Sequence, residues 1–129
     1  MDVPERFWSV LETHARSQAS LLAWLREAPE DEIVAFQLAY ELAAEELADY
    51  WDGPVVDGVR YSEDDTEDLC MWIVAQGREF WTAARADFGG AIDRYTARDE
   101  GESWTPGAPA YAVFFERFGR SLHERLSES

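Results

Sequence analysis

A chain of 129 residues with 27 acidic side chains against 11 basic ones has a formal net charge of −16 at pH 7, and every basic residue is arginine. That balance disfavours free nucleic acid and anionic membranes as partners, because phosphate binding draws on a basic patch whose counterion release drives association. With 47% hydrophobic and 14% aromatic residues, the chain has enough apolar surface for one real core, so a single domain over 1–129 is expected rather than disorder.

The lone cysteine, Cys70, cannot build an internal disulfide framework, and a reducing, cytoplasmic setting is the simplest reading. The opening MDVPERFW has neither a basic n-region nor an apolar h-region, and no run reaches the ~20 apolar residues of a membrane span, so neither export by a standard signal nor membrane insertion is expected. The acidic balance has two explanations: a salt-adapted or Arg-favouring genome that makes soluble acidic surfaces, or a surface shaped for a basic partner. Seven of the 11 arginines lie from Arg78 onward, which leaves room for a local basic cluster in the second half.

In chain order, Phe7, Val10, Leu11 and His14 recur at helical spacing after Pro4, whose missing N–H costs nothing in a first turn. His14 closes that apolar stripe as a packed or capping residue. Leu21, Leu22, Trp24 and Leu25 make a second short helix ending near Ala28, before Pro29. Pro29 followed by Glu30, Asp31 and Glu32 opens a long helix, with carboxylates over the positive end of its dipole. Its stripe is Ile33, Phe36, Tyr40, Ala44, Leu47 and Trp51, with Glu41, Glu45, Glu46 and Asp49 projecting away. Glu41 and Glu45 share a helix side, but without a histidine the pattern reads as a solvated face rather than a metal site.

Gly53-Pro54 and Asp57-Gly58 bracket Val55-Val56, giving at most a minor hairpin near 53–61. Ser62, with Asp65 three residues on, then starts a helix that is expected to run from 62 to 87 as the centre of the protein. Leu69, Trp72, Ile73, Gln76 and Phe80 fall on one side of it, and Cys70, Val74 and Trp81 on the other. Gln76 reads as a buried amide bonded to a neighbouring backbone. Gly77 costs about 1 kcal/mol relative to Ala in a helix interior, so it should bend the helix or admit another backbone. Phe88-Gly89-Gly90 reads as the stop. A short helix around Ala91, Ile92 and Tyr95 precedes a polar loop, Ala97 to Pro109, in which Trp104 either pins the loop or meets a partner. The last helix, about Ala110 to Leu126, carries Tyr111, Phe114, Phe115, Phe118 and Leu122 as one stripe, expected to dock on the central helix with Arg117, Arg120 and Arg125 toward water.

Several segments together resemble a bacterial family of uncharacterised helical domains, domain of unknown function 4240. They are Phe7-Trp8, the run PEDEIVAF from Pro29 to Phe36, Trp51-Asp52, and the acidic SEDD followed by Trp72 and AQGRE. The chain departs from the family after Trp-Asp, where GPVVDGVRY replaces a longer connection. The resemblance implies a helical fold and no particular activity. The expected fold is therefore an all-α helical bundle of five to six helices.

For function, Asp64, Asp65 and Asp68 near a helix start, with Gln76 and Arg78 further along, could in principle share a cation, proton or ligand, making a small enzyme or a ligand- or metal-binding domain. Helical spacing scatters them, and cap, dipole and ion-pair roles account for each. No Ser-His-Asp order, Cys-His pair, phosphate loop or zinc spacing is available, and no cofactor or metal is expected. The better reading is a non-enzymatic interaction module, an adaptor, inhibitor or immunity-like partner of a basic protein. Its candidate contacts are Glu41, Glu45, Glu46 and Asp49 on the long helix and Trp104, and Asp64, Asp65, Asp68, Gln76 and Arg78 are kept with Trp104 as candidate binding residues.

Overall fold

The computed structural model describes residues 3–48, 54–56, 58–99 and 105–128. Trp104, Asp49, the Trp51-Asp52 pair, Gly53 and Asp57 lie outside the described residues. The fold is all-α with one two-stranded sheet. The elements are α1 (Glu5–His14), α2 (Gln18–Glu27), α3 (Glu30–Ala48), β1 (Val55–Val56), β2 (Val59–Arg60), α4 (Glu63–Ala75), α5 (Arg78–Ala86), α6 (Phe88–Thr96), α7 (Gly107–Phe118) and α8 (Leu122–Ser127). Among the described residues there are thus eight helices rather than five to six. The excess arises at two glycines that end helices where the sequence suggests continuity. No helix among the described residues is long and apolar enough to cross a membrane.

The chain divides into two compact units, Met1–Tyr40 with Thr105–Ser129, and Glu41–Trp104. In the first, α1 buries Phe7, Trp8, Val10 and Leu11. Phe7 meets Phe36 at 5.2 Å and Tyr40 at 5.9 Å, edge-on to the latter, while Trp24 of α2 meets Phe36 at 5.4 Å. His14 is half-buried and stacks on Trp24, the packed role its position suggests. Ser17 caps α2, its Oγ accepting from the Ser20 amide at 3.1 Å.

The expectation that the last helix docks on the central one is corrected: α7 packs on α2. Arg117 explains part of the choice. Its Nη1 donates to the carbonyls of Leu25 and Ala28, each at 2.6 Å, which satisfies acceptors that the end of α2 leaves open. The single stripe from Tyr111 to Leu122 is also corrected. Gly119, at φ +70°, stops α7, and Ser121 caps α8, so Phe114 and Leu122 are fully buried while Phe115 is 61% exposed. Arg125 of α8 pairs with Asp31 at 3.1 Å and Glu30 at 3.6 Å, so the acids that open α3 also hold the chain's last helix.

On α3 the burial is wider than the narrow stripe expected. Ile33, Val34, Phe36, Gln37, Ala39, Tyr40, Ala43, Ala44 and Leu47 are all buried, and Glu41 and Glu46 are half-buried. Gln37, at helical spacing from Ile33, Tyr40 and Ala44, is a buried polar residue on this face, and its Oε1 has no hydrogen-bond partner.

In the second unit, β1 and β2 pair antiparallel with Val56 opposite Val59, and the Tyr61 amide donates to the Pro54 carbonyl at 2.8 Å. α4 packs on α5 and α6, which also pack on each other. The long central helix over 62–87 is corrected: it is two helices meeting at Gly77, whose φ of +110° and ψ of 172° no continuous helix permits. The indole N–H of Trp81 then reaches back to the Ala43 carbonyl at 3.0 Å, and Arg85 lies over the Trp81 ring at 4.7 Å and 3.9 Å from Glu46. Phe88-Gly89-Gly90 does not stop a helix but starts one. Asp87 Oδ1 accepts from the Gly90 amide at 3.2 Å and caps α6.

Cys70 is buried, and burial, followed by the nearby Glu67 charge, pushes its thiol up from 9.0 to about 12. At pH 8 about one thiol in ten thousand is ionised, so native Cys70 should react with a disulfide reagent orders of magnitude more slowly than the unfolded chain. Burial also raises the Tyr40 phenol. Both groups have folded pKa values above their unfolded ones, so the stability they support is complete below about pH 9 and falls as pH climbs toward 12. Urea unfolding at pH 7, 9 and 11 should show a midpoint that holds between the first two and drops at the third.

Candidate functional site

Ser62 starts α4 as its sequence position suggests: its Oγ accepts from the Asp65 amide at 3.1 Å, and its carbonyl accepts from the Thr66 hydroxyl at 2.8 Å. Glu63, Asp64 and Asp65 then stand over the positive end of the helix dipole, with Glu67 and Asp68 one turn on, and all five are exposed. Ser62→Ala should lower stability by about 1 kcal/mol in urea titration, with Ser62→Gly costing less.

Beside these acids the α4–α6 packing builds an aromatic cluster. Trp72 meets Phe80 at 5.6 Å and Tyr95 at 5.4 Å, both edge-on, and Arg94 lies over Phe80 at 6.0 Å. Arg98 folds back over the Tyr95 ring at 3.7 Å, its Nη1 donating to the Tyr95 carbonyl at 2.6 Å at the end of α6. The half-buried Tyr95 phenol is raised chiefly by burial; Arg98 opposes the shift, and Tyr61, Asp68 and Asp65 add to it. Two of the acids singled out in the sequence, Asp68 and Asp65, therefore lie within electrostatic reach of Tyr95. Tyr95 and Arg98 carry no local signal, since the packing of α6 on α4 brings that end of α6 to the acids, whereas Tyr61 directly precedes Ser62.

Gln76 does not occupy the interior place expected of it. It is exposed, and its Nε2 donates to the Trp72 carbonyl one turn back at 3.1 Å, because the helix ends at this residue. Arg78 is exposed at the start of α5, beyond the break at Gly77. Eleven residues of helical rise put about 16 Å between Asp65 and Gln76, so the two ends of α4 are separate surfaces. Among the described residues no group of three His, Cys, Asp or Glu side chains could hold a metal ion.

The α4–α6 face thus presents exposed carboxylates at a helix start, with the half-buried Tyr95 ring within their electrostatic reach. By fold and surface this is a small acidic helical protein. The chain belongs to the family described as protein of unknown function (DUF4240), whose model matches residues 1–120, as the resemblance in its sequence implies. Neither the curated proteins nor the solved structures contain a match to it.

Proposed function

We propose that the protein is a non-enzymatic interaction module, a cytoplasmic adaptor, inhibitor or immunity-like partner of a basic protein. The observation that carries this reading is the exposed acidic start of α4 beside the Tyr61–Tyr95–Arg98 cluster, on a chain of net charge −16. Asp64, Asp65 and Asp68 accept arginine or lysine side chains of the partner, the tyrosines supply ring surface, and the net charge speeds encounter. Gln76 and Arg78, at the far end of α4, form a separate surface and are not part of this contact. The alternative of a catalytic or metal pocket among Asp65, Gln76 and Arg78 has less support, because α4's length separates its members.

Affinity purification from the source cell should recover a basic protein that added salt releases, since exposed charge pairs are screened over about a Debye length. Recovery of nothing, together with tight divalent-metal binding or phosphoester turnover by the purified protein, would overturn the proposal.

A further inference from the structure

The first unit contains an open cavity of about 100 Å³, walled almost wholly by apolar atoms of Phe7, Val10, Trp24 and Phe36, with Arg6 and Glu32 among its lining residues. It exists because α3 places alanines, Ala35 and Ala39, at successive turns where larger side chains would fill it. An apolar hollow of similar scale, about 150 Å³ in an engineered protein, stays dry and takes up benzene, so the volume here suits one six-membered ring. The polar residues narrow the choice further. Arg6 Nη2 donates to Glu32 Oε1 at 2.9 Å, and the two side chains are 71% and 42% exposed. That bond uses one of five guanidinium N–H groups and one carboxylate oxygen, leaving donors and acceptors of both signs for a ligand. An anion alone would meet Glu32 beside Arg6, and a cation alone would meet Arg6 beside Glu32. A molecule with both charges close together satisfies both.

We propose that this cavity binds a small zwitterion bearing one aromatic ring, of the aromatic α-amino-acid class, with its ring among Phe7, Trp24 and Phe36, its carboxylate on Arg6 and its ammonium on Glu32. The site is independent of the α4–α6 surface and does not rest on the partner proposed for it.

Titration of the ¹⁵N-labelled protein with phenylalanine, phenylacetate, phenethylamine and toluene tests this, read at the Trp24 indole N–H and the Phe7 and Phe36 amides. Phenylalanine should give saturable shifts with a Kd of about 1 mM or tighter, and the other three should bind at least about fivefold more weakly. Ala35→Trp, at an exposed position on the rim, should abolish the shifts while keeping a dispersed spectrum. Arg6→Ala, at a mostly exposed side chain, should weaken phenylalanine at least about fivefold and leave toluene unchanged. The proposal is overturned if no probe gives saturable shifts, if toluene or a singly charged probe binds as well as phenylalanine, or if Arg6→Ala leaves phenylalanine binding intact.

Discussion

Gly77→Ala is expected to lower stability by about 1–3 kcal/mol, because Gly77 sits at φ +110° and ψ 172°, a region open essentially to glycine alone. The sign of this result separates two accounts of the same residue. If Gly77 interrupted one continuous helix, as the apolar pattern on either side of it suggests, alanine would stabilise that helix by about 1 kcal/mol. In the structure α4 ends at Ala75, and the Gly77 amide donates to the Val74 carbonyl at 3.1 Å. The Gly77 carbonyl then accepts from the Trp81 amide at 3.0 Å, opening α5. A side chain at position 77 strains the link that lets Trp81 reach Ala43. Urea denaturation of wild type and variant at neutral pH measures the difference directly.

Phe114→Ala should cost about 3–5 kcal/mol, whereas Phe115→Ala should fall within about 0.5 kcal/mol of wild type. The two residues are adjacent and their spacing puts both in one stripe, yet Phe114 is fully buried and packs on Phe118 at 4.8 Å, while Phe115 is 61% exposed. Removing the Phe114 ring leaves a cavity under α7, where Arg117 ties the helix to the end of α2. Removing the Phe115 ring opens no cavity. Equal losses for the pair would mean that α7 is rotated from the position described.

Some helix starts are legible because they are local. Ser62 is a side-chain cap whose partner lies three residues on, and the carboxylates after Pro29 start a helix whatever else the chain does. The interior features were less legible because each depends on packing between distant segments. Gly77 and Gly119 look like tolerated glycines until their backbone angles are known, and Phe88-Gly89-Gly90 looks like a stop unless Asp87 is recognised as a cap. Gln76 lies in phase with Leu69, Trp72 and Ile73, but the helix ends beneath it and leaves it in water. Gln37 lies in phase with Ile33, Tyr40 and Ala44, and it is buried with them as a polar member of that face of α3. Asp65 and Asp68 were recognisable as helix-start acids. Tyr95 is not legible as their neighbour, since thirty residues of sequence separate it from Asp65.

The claim that the start of α4 receives a basic partner is tested most directly by purifying partners in parallel on wild type and on the triple variant Asp64→Asn/Asp65→Asn/Asp68→Asn, with folding checked by circular dichroism. The wild type should hold a basic protein at ~0.1 M NaCl and release it by ~0.5 M, where screening is nearly complete, and the folded triple variant should not hold it at either concentration. Equal retention of that protein by the folded variant, or retention that persists at high salt, would contradict the account.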